Sequence, residues 1–289
     1  MEPTASHALA GTPGSGNRRV RIGQLWLDAL TMAEAIERIG ALVRAGAGGS
    51  VFTPNVDHVV TAEDDGAFRS AYAEASLSLA DGQALVWAMR LLGTPVPEKV
   101  SGSDLVWPLM QHAGAARWRV YLLGGAPGSA ELAAARLERE LGVVVAGVDA
   151  PRVAVEGDTG ERGILERVRR ADAQLVVVGL GAPKQERFIQ RSLPHLGPAV
   201  ALGLGASIDF LAGRVRRAPR WVSRGGLEWL FRLSQEPRRL AHRYLVKDPR
   251  FLAIVARTAR QPAADREGRR PWLADATDRA PSPRAGTAP

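Results

Sequence analysis

The sequence predicts an α/β fold, and the order of its segments supports that prediction. Three apolar segments, residues 118–123, 174–178 and 199–202, each run directly into a glycine-rich turn and then into a helical pattern. This repeated order is typical of βα units, whose strands pair in a largely parallel sheet with flanking helices. The chain has 289 residues, of which 46% are hydrophobic, enough to bury the core of one large domain or two small ones.

The part of the chain before these segments is assigned from periodicity and capping signals. The expected elements are a strand over 20–27, a helix over 32–45, a strand over 50–53, a helix over about 56–75 and a strand over 76–80. Thr31 is a suitable N-cap for the first helix, and the last strand delivers Asp81 at its carboxyl end. Because a Rossmann-like parallel sheet binds ligands beyond the carboxyl ends of its strands, residues that follow strands are candidate site residues.

The two ends of the chain differ in composition from its middle. Residues 1–17 and 261–289 are poor in apolar periodicity and contain many small and polar residues, which predicts disordered tails. Residues 18–213 are expected to form the α/β domain. Residues 214–260 carry apolar side chains at helical spacing, interrupted by prolines such as Pro249, and are expected to form a basic amphipathic helical appendage.

The formal net charge of +8 is concentrated in that appendage. Residues 214–260 hold 13 basic and three acidic residues, so they carry +10 while the rest of the chain sums to −2. One interpretation is a solvated helical face over a core stripe, and the other is a surface that meets a phosphorylated or membrane-bound partner.

The absence of cysteine excludes disulfides, thiolate metal sites and a cysteine nucleophile. The sequence also has no apolar stretch of the roughly 18 residues that a spanning helix needs, and no apolar signal-peptide core at its N-terminus. We therefore expect a protein that neither spans a membrane nor is exported by a signal peptide.

The three glycine-rich turns are candidate ligand-binding loops. Gly124 and Gly125 follow a strand and open a helix, so the backbone N–H groups there are suited to a phosphate, although a plain tight turn fits equally well. The turn over 179–184 begins like a dinucleotide fingerprint, but Lys184 replaces its third glycine, which argues against a nicotinamide dehydrogenase. The turn over 203–210 again follows an apolar strand, and three such turns on one edge indicate a ligand cleft.

Asp81 is the candidate general base. It follows a strand of small and apolar residues and precedes Gly82, which lets the backbone turn sharply beside the carboxylate. A carboxylate at the carboxyl end of a strand is well placed to take a proton from a ligand in the cleft. Position alone supports equally well an aspartate that caps the following helix.

Polar residues at the end of the 50–53 strand are further candidates. Thr53 and Asn55 can bind polar groups of a ligand, or they can serve as turn and cap residues beside a proline. Asp57 and His58 follow at the expected start of a helix. For that pair we favour an acidic residue at the helix N-terminus and a partly buried polar histidine over a metal site.

Taken together, the motifs resemble one family of bacterial enzymes. In chain order, over about residues 20–247, they lie at 53–58, 80–82, 98–104, 122–125, 179–186, 209–214, 217–219, 226–229 and 235–239. On these residues the chain resembles the WecG/TagA/CpsF glycosyltransferases, glycosyltransferase family 26. An ordered set of this length is far more specific than any single glycine motif.

The resemblance implies an inverting, UDP-sugar-dependent hexosyltransferase of cell-surface polysaccharide synthesis. It would move an N-acetylmannosamine-type sugar, its uronic acid or a glucose-type sugar to a polyprenyl-diphosphate-linked acceptor. The implied location is the cytoplasmic face of the plasma membrane, with the basic C-terminal segment on anionic lipid. No cofactor and no nucleic acid are implied, and homo-oligomer formation is compatible with the resemblance.

The resemblance also implies roles for individual residues. Asp81 matches the proposed general base, and Thr53 and Gln185 match residues proposed to position substrate. Lys99 stands where the family usually has arginine, so it keeps a positive charge near the diphosphate leaving group but lacks the bidentate fork. The expected substrate-binding residues are Asn55, Lys99, Ser101, Gly124, Gly125, Gly179, Gly181, Lys184, Asp209, Arg214 and Arg217.

The implied reaction needs a base for the acceptor hydroxyl and stabilisation of the charge that develops on the departing UDP. Many sugar transferases use a metal ion held by an Asp-x-Asp motif, and the sequence has none suitably placed at the end of an apolar strand. Cationic side chains and helix N-termini are therefore expected in place of a metal. The alternatives are a basic nucleic-acid-binding protein, which would leave the glycine turns unused, and a different nucleotide-dependent α/β enzyme.

Overall fold

The computed structural model describes residues 18–215 and 247–270, together with Phe231 and Leu233. The strands are β1 Arg18–Ile22, β2 Leu25–Asp28, β3 Gly49–Phe52, β4 Leu77–Ser78, β5 Arg119–Gly124, β6 Val144–Asp149, β7 Leu175–Gly179, β8 Val200–Gly203 and β9 Glu267–Arg269. The helices are α1 Met32–Ala45, α2 Val56–Asp64, α3 Gly66–Glu74, α4 Gln83–Leu91, α5 Gly102–Ala115, α6 Ser129–Leu141, α7 Glu161–Arg170, α8 Lys184–Ser192, α9 Ser207–Leu211, α10 Arg250–Ala259 and α11 Ala263–Arg266.

Six strands form a parallel sheet in the order β4-β3-β8-β7-β5-β6, which confirms the predicted α/β, Rossmann-like fold. Side chains alternate between its two faces, and each face carries its own apolar core. Phe52 points into the core that α2, α3, α4, α7, α8 and α10 cover, while its neighbour Val51 points into the core under α1, α5, α6 and α9. The near-continuous apolar strands follow from burial on both faces.

The first predicted strand is in fact a hairpin. Residues 20–27 were expected to form one strand, but the chain turns at Gly23, whose φ of +56° suits glycine, and β1 pairs with β2 in antiparallel register. Asp28 at the end of β2 is buried, and its Oδ2 accepts a hydrogen bond of 2.7 Å from the backbone N–H of Ser78 in β4. The hairpin therefore holds β4 in place, and β4 carries the chain into Asp81.

The expected C-terminal tail is wrong for its first ten residues. Within 261–289, residues 261–270 are described, and they form α11 and β9. β9 completes the small sheet by pairing with β1, so that Val20 lies opposite Glu267. This pairing is made by backbone groups, so it does not require large apolar side chains in the segment. Residues 1–17 and 271–289 lie outside the described residues.

Two further predictions needed correction. The single helix expected over 56–75 is divided into α2 and α3, because the Asp65 side chain accepts a hydrogen bond of 2.9 Å from the backbone N–H of Phe68 and caps a new helix. The sixth strand, β6, was not predicted. It lies at the edge of the sheet and is half-buried, although its sequence is an apolar run like those of its neighbours.

Helix α10 returns the chain to the body of the domain. It begins directly after Pro249, as expected, and buries Phe251, Ile254 and Val255 against the rest of the fold. Its outer surface is tied to α2, since Arg250 pairs with Asp64 through N–O distances of 2.7 and 3.0 Å. Most of the expected appendage, residues 216–246 apart from Phe231 and Leu233, lies outside the described residues.

The N-terminus of α1 allows a first prediction, for stability. Thr31 Oγ1 accepts from the backbone N–H of Glu34, and the Glu34 carboxylate accepts from the backbone N–H of Thr31 in a capping box. The Thr31→Ala variant should lose about 1 kcal/mol of stability in urea unfolding, because it removes one half of this exchange. Thr159→Ala, at an exposed loop position, is the control. Equal unfolding midpoints for the two variants would show that the capping box contributes nothing.

Candidate active site

The candidate site lies along the carboxyl edge of the parallel sheet. The strands β4, β3, β8, β7 and β5 are neighbours in that order, so the residues that follow each of them meet on one edge. With about 4.8 Å between adjacent strands, this edge spans roughly 19 Å. The sequence-predicted site residues that are described divide between its two halves.

Asp81 lies in the first half, between two other loops. Its backbone N–H donates to the carbonyl of Pro54 at 2.9 Å, and the preceding carbonyl, that of Ala80, accepts from the N–H of Val100 at 2.8 Å. The loop after β4 is thus held on both sides, and the Asp81 side chain is half-buried. Gly82, with φ of +107°, then turns the chain into α4. The N-cap residue of α4 is Gly82, and Asp81 lies one position before it.

Thr53 lies at the end of β3, where the N-terminus of α5 approaches closely. Thr53 is buried, and a Cβ at Gly102 would lie 3.1 Å from both Thr53 Oγ1 and the carbonyl oxygen of Leu204. Glycine at the first position of α5 therefore lets that helix end pack directly on the ends of β3 and β8. The positive end of the α5 dipole faces this part of the edge.

The two candidate residues before α5 belong to a small polar cluster. Ser101 is the N-cap of α5, and its Oγ donates to Asp104 Oδ2 at 2.6 Å. Lys99 Nζ lies 2.9 Å from the same carboxylate oxygen. The charge of Lys99 is therefore balanced by Asp104 at the mouth of the site. Asn55 has a similar structural role, since its Oδ1 accepts from the backbone N–H of His58 at 3.4 Å and caps α2.

Gln185 connects the two halves of the edge. It lies in the first turn of α8, is buried, and accepts a hydrogen bond of 3.0 Å from the backbone N–H of Gly205 through Oε1. Its Nε2 donates to Glu186 Oε1 at 2.8 Å. Gly181 and Lys184 lie immediately before it in the same loop and helix start, and the N–H of Gln185 donates to the carbonyl of Gly181.

A buried polar cluster lies beneath Gln185. Glu186 is completely buried, and burial raises its pKa to about 7, against the lowering effect of the hydrogen bond from Gln185. His58 Nδ1 lies 4.0 Å from Glu186 Oε1 and 2.7 Å from the hydroxyl of Tyr72. Burial raises the pKa of Tyr72 well above its usual value, and the negative charges of Glu186, Asp81 and Asp57 raise it further. The cluster thus adjoins both Gln185 and Asp81.

The second half of the edge consists of glycine turns in backbone contact. The N–H of Gly125 donates to the carbonyl of Gly179 at 2.9 Å. A Cβ at Gly124 would lie 2.5 Å from that carbonyl oxygen, and a Cβ at Gly179 would lie 2.8 Å from the carbonyl oxygen of Gly205. Only glycine allows the turns after β5, β7 and β8 to approach this closely. They form one continuous backbone surface at this end of the edge.

Asp209 and Arg214 hold the outer side of the β5 turn. Asp209 Oδ1 accepts a hydrogen bond of 2.9 Å from the backbone N–H of Ala126, and Arg214 donates to the carbonyl of Pro127 at 2.6 Å. Both residues support the turn that contains Gly125. Arg217, the last of the predicted residues, lies outside the described residues.

Sequence reasoning did not select Glu186 or Tyr72 as site residues. A sequence signal for the burial of Glu186 exists. The neighbouring Gln185, Phe188, Ile189 and Ser192 recur at helical spacing, and all are buried. That stripe places the first turn of α8 on the core side. The partly buried histidine expected at position 58 is confirmed, and its partner Tyr72 comes from α3, a contact that depends on helix packing.

The N-terminus of α2 carries one contact from the far end of the described chain. Lys247 Nζ lies 2.6 Å from Asp57 Oδ1 and 2.7 Å from Thr61 Oγ1. This brings residue 247 to the helix that begins directly after Asn55. Among the described residues, no group of three or more His, Asp or Glu side chains could hold a metal ion, and no helix is long and apolar enough to cross a bilayer.

Comparison with known proteins identifies the family of the chain. The chain matches the Glycosyl transferase WecG/TagA/CpsF family over residues 20–265, which covers every described candidate residue. It is 30% identical over 218 residues to an N-acetylglucosaminyldiphosphoundecaprenol N-acetyl-beta-D-mannosaminyltransferase of Bacillus spizizenii (strain ATCC 23059 / NRRL B-14472 / W23), covering 75% of this chain and 82% of that relative. The protein is therefore a member of the WecG/TagA/CpsF family of glycosyl transferases.

Proposed function

We propose that the protein transfers N-acetylmannosamine from a UDP-sugar to a polyprenyl-diphosphate-linked acceptor, with inversion and with Asp81 as general base. The name of the Bacillus spizizenii relative, a mannosaminyltransferase that acts on an N-acetylglucosaminyl diphospholipid, supports the sugar and the acceptor class. The observation that carries the proposal is the position of Asp81 on one edge with Thr53, the start of α5 and the glycine turns.

In the proposed displacement, the acceptor hydroxyl oxygen attacks the anomeric carbon while Asp81 takes the hydroxyl proton. The bond from that carbon to the diphosphate oxygen breaks, and UDP leaves with the electron pair. Thr53 Oγ1, beside the start of α5, and the side chain of Gln185, beside Gly205, are suited by chemistry to hold sugar hydroxyl or amide groups. Holding both reactants in this geometry accelerates the reaction, because the entropy of bringing them together is lost on binding and not in the transition state.

Charge develops on the departing UDP, and several groups on the edge are suited to receive it. The N-terminus of α5 directs its positive dipole end at the site, and the turn at Gly124 and Gly125 leads into the N-terminus of α6, whose N-cap residue Gly128 has no side chain to compete with a phosphate. Lys99 adds a cation that Asp104 partly balances. We propose that these groups replace a metal ion. Loss of transfer in EDTA that Mn²⁺ restores would contradict this part of the proposal.

The function is tested first by binding and then by transfer. A thermal-shift series of UDP, UDP-N-acetylmannosamine, UDP-glucose and other nucleotides should show stabilisation only by uridine diphosphates. Transfer of radiolabelled N-acetylmannosamine to a synthetic prenyl-diphosphate-linked N-acetylglucosamine should then follow. Stabilisation by NAD or by single-stranded RNA, with none by UDP, would favour one of the alternative functions.

We also propose peripheral binding of the basic residues 214–260 to anionic lipid at the cytoplasmic membrane face, where a lipid-linked acceptor is available. Sedimentation with phosphatidylglycerol vesicles should retain the protein at low salt and release it at about 0.5 M NaCl, because the attraction is screened. Equal binding to neutral phosphatidylcholine vesicles would contradict an electrostatic contact. Light scattering on the same samples measures whether the protein also forms the homo-oligomer that the family resemblance allows.

Asp209 allows a prediction about the turn that would receive the diphosphate. Asp209→Ala removes the acceptor for the Ala126 N–H and should weaken UDP binding about tenfold, the effect of losing one hydrogen bond to a charged group. Asp209→Asn keeps an acceptor oxygen and should bind nearly as well as wild type in calorimetry. If both variants bind UDP equally poorly, the hydrogen bond to the Ala126 N–H does not explain the effect, and the charge of Asp209 is what UDP binding requires.

A further inference from the structure

We propose that Glu186 is a positioning residue for sugar transfer, which holds the side-chain amide of Gln185 in one orientation. This inference rests on the proposed function for its kinetic consequences. The contacts on which it depends are made within the protein and involve no substrate, so they stand whether or not the proposed function is correct. Glu186 itself is completely buried, so any role in transfer is exerted through its neighbours.

The amide of Gln185 is constrained at both ends. Its carbonyl oxygen accepts from the Gly205 N–H at 3.0 Å, and one N–H of its Nε2 donates to Glu186 Oε1 at 2.8 Å. An amide nitrogen has two N–H groups, so one of them stays available to a ligand oxygen. If the amide rotated by half a turn, its nitrogen would face the Gly205 N–H and its oxygen would face the Glu186 carboxylate, and both pairs would repel. The two contacts together therefore fix the orientation of the Gln185 amide.

Glu186 would be an unusual choice for a purely structural residue. Its Oε2 is buried and lacks a hydrogen-bond partner, and no lysine or arginine pairs with its carboxylate among the described residues, where His58 at 4.0 Å is the nearest ionisable base. A buried carboxylate with one unsatisfied oxygen destabilises a fold, and an apolar residue of similar size would avoid that cost. A group that lowers stability and lies beside a site residue is better explained by function than by folding.

The groups around Glu186 define what else titrates there. His58 and Asp57 face it from α2, the Tyr72 hydroxyl from α3, and Gln185 from its own helix. Burial raises the pKa of Glu186 to about 7 from an ordinary value of 4.5. The charged form is the stronger acceptor for the Gln185 N–H. Below about pH 7 the carboxyl group is protonated, so the hold on Gln185 weakens as the pH falls.

The sign of the effect on stability is opposite. Because the folded protein binds the Glu186 proton more tightly than the unfolded chain does, Glu186 costs stability progressively as the pH rises from about 4.5 to about 7, and the full cost remains above that. Glu186→Gln removes this cost and keeps an acceptor oxygen for Gln185. It should therefore melt at a higher temperature than wild type at pH 8 and at a similar temperature at pH 5. A merely structural glutamate would lose stability and activity together.

The test compares Glu186→Gln and Glu186→Leu with wild type from pH 5.5 to 8.5. Wild-type kcat should fall as the pH is lowered through about 7, and this fall should be absent in Glu186→Gln. Glu186→Leu has no acceptor for Gln185 and should lose at least tenfold in kcat at every pH, with donor KM changed less than kcat. Glu161→Gln, at another buried glutamate that pairs with Arg191 on a different helix, is the matched control and should keep the wild-type pH profile.

Two outcomes would overturn the proposal. A fall in kcat near pH 7 that persists in Glu186→Gln would assign the titration to another group, such as His58. Wild-type kcat in a folded Glu186→Leu at pH 8 would show that Gln185 needs no such hold. If wild type itself transfers no N-acetylmannosamine, the proposed function fails, and the positioning role is then tested in the free protein. The ¹⁵N resonance of the Gln185 side chain should move with a midpoint near pH 7 in wild type and should not move in Glu186→Gln.

Discussion

Replacing Asp81 with asparagine should lower kcat for sugar transfer by about 10²- to 10⁴-fold, the range that a positioned general base contributes. Asparagine has nearly the same size but cannot take the proton of the acceptor hydroxyl. The loop that carries it is held by backbone hydrogen bonds to Pro54 and from Val100, neither of which involves the Asp81 side chain. The variant should therefore fold normally, and calorimetry should find UDP binding close to that of wild type.

Asp172→Asn is a suitable control for this substitution. Asp172 is exposed and lies just before β7, at the amino edge of the sheet, opposite the site. Its φ of +49° is one that asparagine adopts readily. This control should transfer sugar at the wild-type rate. If Asp81→Asn retained turnover within about threefold of wild type, Asp81 would not be the base, and a different group on the carboxyl edge would have to take the proton.

Replacing Gly124 with alanine should have the largest effect on the fold at the site. Gly124 has φ of +107°, and an added Cβ would lie 2.5 Å from the carbonyl oxygen of Gly179, which is backbone and cannot rotate away. We expect a loss of about 3 kcal/mol or more from the strained conformation and the overlap combined. For a domain of this size, that loss lowers Tm by roughly 6–12 °C. Because the turns after β5 and β7 must separate, UDP binding should weaken as well.

Gly142→Ala is the control that distinguishes the cost of the atomic overlap at Gly124 from the cost of the left-handed backbone conformation. Gly142 caps the C-terminus of α6 with φ of +62°, and an added Cβ there meets nothing within 4 Å. It should lose only about 1 kcal/mol, the cost of a left-handed conformation for alanine, and should bind UDP normally. Equal Tm values for the two variants would mean that the close approach of the turns contributes nothing measurable to stability.

The sheet could be predicted where its signals are local. The strands β5, β7 and β8 are short apolar runs that end in glycine turns, and their observed bounds agree with the predicted ones within one or two residues. β9 could not be predicted in this way, since Glu267–Arg269 has no apolar character and its partner β1 begins at Arg18, at the other end of the described chain. Its pairing depends on backbone groups that the rest of the fold brings together.

The same distinction between local signals and long-range contacts applies to the candidate site. Residues that follow a strand, such as Thr53 and Asp81, could be placed on one edge from the sequence, because parallel strands share the direction in which they end. The partners of those residues could not be predicted from the sequence. Glu186 lies 4.0 Å from His58, for example, and these residues belong to α8 and α2, which are far apart in the chain. Asp65 is an intermediate case: Asp65-Gly66 is a local break signal, but the apolar residues around it favoured one continuous helix.

Arg214 and Lys247 contact opposite ends of the carboxyl edge. Arg214 donates to the carbonyl of Pro127 at the β5 end, and Lys247 pairs with Asp57 near the β3 end. These two basic residues of the 214–260 segment therefore contact the α/β domain itself. Replacing either of them should change the stability of the domain as well as any binding of the segment to lipid.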